Sequence, residues 1–501
     1  MESAVSTART YNEWAESARR ATIEGRAFID GSYVDAVSGQ TFASTSPRDG
    51  AVLTQVVRGD HADVDHAVAA ARRAFDDRRW RDLAPRARKN ILLRWSELIR
   101  ESAEELALLE TLDVGKPITE SLRVDVTSAA ACIQWYAEAL DKIYDQVAPS
   151  GREALVTITR EPLGVVGAVV PWNYPMIISC WKLAPALATG NSVILKPAEQ
   201  SSLSALVLAR LATEAGVPDG VLNVVPGLGH EAGQALGRHP DVDKIAFTGS
   251  AEVGRKFLTY SGESNGKQVQ LEAGGKSPQL VLADASNLDA VAQAVAWGIC
   301  YNAGQTCNAG SRLLVDRAIK DELMAKVVEV NDGFIVGDPL EPATTMGPIV
   351  DDTQLRRVLG YVQIGRDEGA TVIGGERVHE ETGGFFMEPA VLDGVPNSSR
   401  VAQEEIFGPV LSVVDFDGVQ EGLQLANDTA YGLAAAVWTR DLSTGHRVAA
   451  QLRAGTVWVN TFDATDVFAP FGGFKSSGAG RDKSLHALDE YTGLKTTWIS
   501  I

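Results

Sequence analysis

The sequence predicts an α/β protein built from two doubly wound α/β domains in succession, with a small β arm. Three observations carry that expectation. Short β-rich runs alternate with helical ones from about residue 163 to 274, and a second such series follows from about 311 to 460. At 501 residues the chain also exceeds what one hydrophobic core serves. Strands separated by helices imply parallel sheets, whose ligands bind beyond the carboxyl ends of the strands.

Along the chain, Val64, Val68, Ala71 and Phe75 recur at helical spacing, followed by Ile91, Trp95, Leu98 and Ile99 with charges between them. They predict packing faces of helices between about 62 and 112. Residues 141–162, with A-L-V-T-I-T-R, and the C-terminal L-K-T-T-W-I-S-I are β-prone and fit neither domain. Left bare, such edges invite aggregation, so pairing between subunits is expected to cover them. The first series contains V-V-G-A-V-V, S-V-I-L-K-P, V-L-N-V-V-P-G, D-K-I-A-F-T-G-S and Q-V-Q-L-E-A-G-G as strands. M-I-I-S-C-W-K-L-A-P-A-L-A and S-A-L-V-L-A-R-L-A-T-E-A-G lie between them as helices. The second series offers S-R-L-L-V-D, V-L-S-V-V-D-F, L-A-A-A-V-W and G-T-V-W-V-N.

Composition narrows the class of partner. With 46 basic against 65 acidic residues the net charge is -19, which disfavours nucleic acid and anionic membrane. No apolar run approaches the roughly 18 residues of a membrane span. Four unevenly spaced cysteines suggest no disulfide framework, and the seven histidines form no H-x-x-x-H pair. Arg9, Arg19 and Arg20 alternate with Glu2, Glu13, Glu16 and Glu24 with no apolar core, so no targeting peptide is expected in the first 25 residues. A cytoplasmic setting follows.

The candidate chemistry sits at strand ends. Cys132, Cys180 and Cys300 have apolar or aromatic neighbours, whereas Cys307 lies in N-A-G-Q-T-C-N-A-G-S-R, between Gly304 and Gly310, among small and polar residues. That context makes Cys307 the candidate nucleophile. Glu272 ends the fifth strand in L-E-A-G-G-K-S-P, where a carboxylate in a dry cleft can act as a general base. Asn173, in P-W-N-Y-P after the first strand, offers an uncharged donor to an oxyanion. Gly249 and Gly254 flank a strand-to-helix turn that can meet a pyrophosphate, although the G-x-G-x-x-G fingerprint is missing and Arg255 rules out a Walker A loop. Lys196 and Glu199 in K-P-A-E-Q can hold ribose hydroxyls.

P-W-N-Y-P, L-E-A-G-G-K-S-P, G-Q-T-C-N-A-G-S-R, E-E-I-F-G-P-V and P-F-G-G-F-K-S-S-G together resemble the signature set of the NAD(P)-dependent aldehyde dehydrogenase superfamily, from about residue 27 to the C-terminus. Within it, P-A-T-T-M-G and the tail G-R-D-K-S-L-H-A-L-D-E-Y-T-G-L-K-T-T-W-I-S are most similar to γ-glutamyl-γ-aminobutyraldehyde dehydrogenases and related ω-amino- or guanidino-aldehyde enzymes. Ala273 stands where many members have Leu. The resemblance implies a Rossmann-type NAD-binding domain (1–140 and 163–274), a catalytic domain (275–483) and an oligomerisation arm (141–162 and 484–501) of a homodimer or homotetramer.

For the site, the resemblance implies Cys307 as nucleophile, Glu272 as base, Asn173 with the Cys307 backbone N–H as oxyanion hole, and Lys182 as an aid to proton relay. It assigns the cofactor to Val170, Trp172, Lys196, Glu199, Gly229, Phe247, Gly249, Ser250, Val253, Gly274, Glu405 and Phe407. Glu199 would meet a 2′-phosphate, so NAD is expected in preference to NADP. The resemblance also allows a monovalent cation near Asp113 and Gln200. The loop T-F-D-A-T-D-V-F-A-P would line the aldehyde tunnel, with Phe462, Asp463, Asp466 and Phe468 receiving a cationic substrate tail. The expected reaction is oxidation of an aldehyde to an acid through a thiohemiacetal and a thioester on Cys307, the latter hydrolysed by Glu272-activated water. A general aliphatic or aromatic aldehyde dehydrogenase is the alternative. A thiol hydrolase would want a histidine that no strand-end motif supplies, and a non-catalytic scaffold protein would not need Cys307, Glu272 and Asn173 together.

Overall fold

In the computed structural model residues 9–501 are described; residues 1–8, including Glu2 of the N-terminal stretch, lie outside the described residues. The alternation from 163 onward folds as one sheet. Its parallel strands run in the order Gln268–Ala273, Lys244–Gly249, Val165–Val169, Ser192–Lys196, Leu222–Val224, and an antiparallel hairpin, Ala27–Ile29 and Ser32–Val34, extends the far edge. The chain therefore leaves Val165–Val169 in one direction and returns to its other side at Lys244. That reversal opens a crevice at the carboxyl ends of the two strands, where a doubly wound sheet takes its ligand.

The helical periodicity before residue 112 resolves into His61–Asp76, Pro85–Glu101 and Ala103–Val114. Val64, Ala67, Val68 and Ala71 bury one face of the first of these beneath the sheet, while Trp95 and Ile99 bury a face of the second. A helix with one such apolar stripe gains its stability from that packing more than from propensity.

The second series forms a seven-stranded sheet centred on Val410–Phe416, Arg312–Asp316, Pro278–Val281 and Ala434–Trp438, all mutually parallel. These four strands are buried at nearly every position, as parallel strands covered on both faces should be. The polypeptide passes from one sheet to the other in only a few residues, between Ala273 and Pro278. The Cys307 loop precedes the second strand of the second sheet.

The two β-prone segments, expected to need another subunit for cover, pair with each other: Ala154–Pro162 runs antiparallel to Thr492–Ser500 over its whole length, and Gln146–Ala148 adds a third strand. Among the described residues of the single chain no strand pairs with the far edge of Thr492–Ser500. Leu494 and Trp498 are 72% and 71% exposed there. Just before this strand, Ala487, Leu488 and Tyr491 are buried in the first domain's core.

Candidate active site

Helix Leu288–Cys300 aims the chain at the seam between the sheets, and three successive left-handed residues then turn it sharply: Asn302 (φ 50°), Ala303 (φ 52°) and Gly304 (φ 69°). Gly304 has no alternative, because a Cβ there would stand 2.2 Å from the Gly408 carbonyl carbon. The turn is pinned from several sides. Asn302 Nδ2 donates to the Asn173 carbonyl at 3.0 Å, Asn173 Nδ2 donates to the Gln305 carbonyl at 2.9 Å, and Val350 N donates to Gln305 Oε1 at 2.9 Å. Held strain of this sort clusters at functional sites. Its result is that Cys307, a free thiol, follows directly on the segment that binds Asn173.

Cys307 lines a cavity of about 530 Å³. Around it stand the rings of Tyr174, Trp181, Trp297, Tyr301, Phe462 and Phe471, with Asp463 and Asp466 among them. Burial pushes the Cys307 thiol up to about 12, and the carboxylates of Glu405, Asp463 and Glu272 add to the effect. Asp463 Oδ1 accepts from Asn308 Nδ2 at 2.7 Å, while Asp466 Oδ1 accepts from the Val467 N–H at 2.6 Å. Phe468 is 67% exposed and lies outside the cavity lining.

Glu272 occupies the end of its strand, 2% exposed, and among the described residues neither carboxyl oxygen has a hydrogen-bond partner. Such an orphan in a native site calls for an explanation, and a reaction component is one. Burial raises its pKa well above the usual carboxylate range; nearby Asp482 adds to the rise, and Lys182 and Arg481 oppose it. Lys182, from helix Pro175–Ala188, forks onto Asp482 at 2.9 and 2.6 Å, and Gln270 Nε2 joins the same carboxylate at 3.1 Å.

At the crevice of the first sheet, Ser250 caps helix Ala251–Gly262, its hydroxyl accepting from Val253 N at 3.3 Å. Val253 is 38% exposed on that first turn, and Phe247 packs beneath it in the strand. Lys196 Nζ bonds the Pro197 carbonyl at 2.8 Å and reaches Glu199 at 3.5 Å, the latter carboxylate 40% exposed. Val170 N donates to the Lys196 carbonyl at 3.2 Å, and Gly229 opens a π-helical turn with free space where a side chain would be. On the other wall, Glu405 Oε1 accepts from Gly275 N at 3.1 Å, and Trp172 meets Phe407 edge to face at 5.2 Å. A Cβ on Gly274 would lie 1.8 Å from Glu405, so only glycine lets that carboxylate in. An exposed acid for ribose, an uncrowded turn for phosphate and a helix N-terminus together fit a dinucleotide.

The family model for the "Aldehyde dehydrogenase family" matches residues 33–497. The chain belongs to the aldehyde dehydrogenase family. It is 50% identical to the NADP/NAD-dependent aldehyde dehydrogenase PuuC of Escherichia coli, across 97% of this chain and 98% of that protein. The crystal structure of γ-glutamyl-γ-aminobutyraldehyde dehydrogenase from Burkholderia cenocepacia superposes with a TM-score of 0.97 at 56% identity, covering 98% of this chain and all of that one. The P. syringae indole-3-acetaldehyde dehydrogenase AldA, in complex with NAD+ and IAA, gives 0.98 at 54% identity over 99% of this chain and all of that one.

In this aldehyde dehydrogenase the structure gathers Cys307, Asn173, Phe462, Asp463 and Asp466 around one loop and cavity. Glu272 and Lys182 stand together at a neighbouring strand end, beyond the cavity lining. Asp113 and Gln200 are engaged separately: Asp113 accepts from Ser44 Oγ at 2.9 Å and Leu203 N at 3.0 Å, while Gln200 Nε2 turns to Asp351 at 3.2 Å. Several contributors escaped the sequence reading. Tyr174 bonds Thr306 at 3.0 Å, next to Cys307, and the Lys116 ammonium sits 3.8 Å from the centre of its ring, paired with Asp125 at 2.7 Å. Asp482 and Lys483 arrive from R-D-K-S at the head of the C-terminal tail, where charged residues carry no signal of where they fold.

Proposed function

We propose that this aldehyde dehydrogenase oxidises an aldehyde bearing an ω-amino group, such as a 4-aminobutyraldehyde derivative, to its carboxylic acid with NAD as electron acceptor. The observation that carries the reading is the Cys307 cavity itself, where a nucleophile shares a ring-lined space with Asp463 and Asp466. Rings pack against a methylene chain, and carboxylates favour a remote ammonium. The same rings favour a second reading, an aryl-substituted aldehyde, in line with the indole-3-acetaldehyde enzyme of similar structure.

In the proposed reaction Cys307 Sγ adds to the aldehyde carbon as its proton passes to solvent water. Asn173 Nδ2, with one N–H beyond its bond to Gln305, and the Cys307 N–H steady the oxyanion. NAD, when bound, supplies the hydride acceptor that turns the sulfur-bound thiohemiacetal into a thioester. Glu272 then takes a proton from water as the water attacks the thioester, and sulfur leaves as the acid is released. The Lys182 and Arg481 cations favour the carboxylate form of Glu272 against burial and Asp482, so the base works at a raised pKa. Val170, Trp172, Lys196, Glu199, Gly229, Phe247, Gly249, Ser250, Val253, Gly274, Glu405 and Phe407 would hold NAD. The exposed Glu199 carboxylate would repel a 2′-phosphate, which supports NAD over NADP.

The first sheet and its helices (1–140 and 163–274) would be the cofactor domain, 275–483 the catalytic domain, and 141–162 with 484–501 the arm of a homodimer or homotetramer. Four free cysteines suit a reducing, cytoplasmic setting, and among the described residues no helix is long and apolar enough to cross a membrane. The test is a matched panel of ω-amino, aryl and plain aldehydes, followed at the reduced-nicotinamide absorbance, with Asp466→Asn beside the parent. The proposal expects the highest kcat/KM for the amino-aldehyde, eroded in Asp466→Asn mainly through KM. Equal efficiency toward all three would refute the amine anchor.

A further inference from the structure

The cavity that reaches Cys307 has a single basic residue among its described lining, Lys483. The backbone takes an unusual path to put it there. Lys483 (φ 62°) and Ser484 (φ 54°) are consecutive left-handed residues, neither of them glycine. Backbone bonds on both sides enforce the path: Asp482 N and Phe471 N each donate to the other's carbonyl, at 2.7 and 2.8 Å, and Ser484 N donates to the Val467 carbonyl at 2.7 Å.

The side chain is 3% exposed, yet its Nζ has little to bind. It donates to Thr465 Oγ1, and the rings of Trp181 and Phe471 flank it at 5.2 and 5.4 Å. Ring faces support a cation without consuming its N–H groups. An ammonium carries three donors, so two are left over. Among the described residues Lys483 forms no ion pair, and the two nearby carboxylates have other donors, Asn308 for Asp463 and the Val467 N–H for Asp466. A buried ammonium with spare donors is costly until an acceptor arrives. The ligand is the group that can bring one.

We propose that Lys483 is a specificity-determining residue of the aldehyde cavity, its ammonium receiving an acceptor oxygen, a carboxylate or an amide carbonyl, carried on the substrate remote from the reacting carbonyl. This rests on the reading that the cavity admits the aldehyde. It adds to that reading the group that would select an acceptor oxygen, which the aspartates would not: on a semialdehyde ending in carboxylate, or on an amino-aldehyde acylated on nitrogen, the kind of substrate that the name of the Burkholderia cenocepacia relative carries.

The test compares kcat/KM for three aldehydes of equal length, carboxylate-ended, amide-bearing and plain alkyl, in the parent, Lys483→Met and Lys483→Arg. The parent is expected to prefer an oxygen-bearing aldehyde over the alkyl one. Lys483→Met should cut that preference ratio about 10- to 100-fold, chiefly through KM, the scale of one charge-assisted hydrogen bond. Lys483→Arg should keep most of it. A fall confined to the carboxylate ratio identifies the carboxylate as the ligand oxygen, and one confined to the amide ratio identifies the amide. Should Lys483→Met fail to fold, Lys483→Gln, which keeps an N–H donor but carries no charge, repeats the carboxylate arm. An unchanged ratio in Lys483→Met or Lys483→Gln, all three substrates declining by one factor, or a parent without preference would overturn the proposal. A parent that oxidises none of the three, while NAD still binds, would overturn the aldehyde reading of the cavity and this assignment with it.

Discussion

Burial and a ring of carboxylates, Glu405, Asp463 and Glu272, all oppose ionisation of the Cys307 thiol and push it up to about 12. A thiol held neutral is slow to oxidise, because the thiolate is the reactive form. Ionisation is then coupled to attack on a bound aldehyde. Replacing Cys307 by Ala removes the proposed nucleophile but alters none of the residues assigned to the cofactor, so dehydrogenase activity should vanish while the NAD dissociation constant, measured by calorimetry, stays within about threefold. A large loss of NAD affinity would show that the thiol loop is part of the cofactor site. That Cys307 lines the cavity was legible because a cysteine among glycines and amides is an odd place for a packing residue. Lys483 was not, since a lysine in R-D-K-S reads as solvated surface and only the left-handed backbone at 483 and 484 turns it inward.

At the scale of elements, one buried acid joins three of them. Asp113, on helix Ala103–Val114, takes a hydrogen bond from Ser44 on strand Thr41–Thr45 and another from Leu203 N, which opens helix Leu203–Ala215. Burial pushes its carboxyl up to about 7, with the two donors pulling the other way. Because the folded pKa lies above the ordinary Asp value of about 3.9, the fold binds this proton more tightly than the unfolded chain does. Its stabilising contribution is complete below about pH 4 and is lost as pH rises towards 7. Asn stays neutral and can still accept from Leu203 N while donating to Ser44. Asp113→Asn should therefore show a smaller fall in Tm between pH 5 and pH 8 than the parent, by calorimetric scans in matched buffers. Equal slopes would place the pH dependence elsewhere. The strands and helices themselves were legible from their periodicity, which burial on one or both faces imposes. The π-helical turn Ser121–Val126 and the left-handed run at 302–304 were not, for they depend on contacts distant in sequence: Val124 lines the cavity, and Asn302 bonds to Asn173.

Across the whole molecule, the two α/β domains were legible from the repeated strand-helix rhythm. How the terminal segments would be covered was not, because pairing of residue 154 with residue 500 has no local signature. Among the described residues the outcome leaves a nine-residue strand with an unpaired far edge and Leu494 and Trp498 in solvent. Bare edges and exposed rings of this kind are covered in stable proteins, and a second copy of the chain is the proposed cover. Leu494→Glu with Trp498→Glu should shift the species seen by analytical ultracentrifugation to a smaller one while the circular dichroism spectrum is kept. An unchanged sedimentation coefficient would remove this edge from the interface.

In the proposed mechanism thiol and base, brought from the two domains to one seam, divide the reaction between acylation and hydrolysis. Glu272→Gln tests it most directly in a rapid-mixing experiment with NAD and an aldehyde. The expected result is a burst of NADH equal to the enzyme concentration, an acyl mass on Cys307, and steady turnover slowed about 100- to 10,000-fold. Absence of both burst and adduct, with NAD still bound, would contradict it.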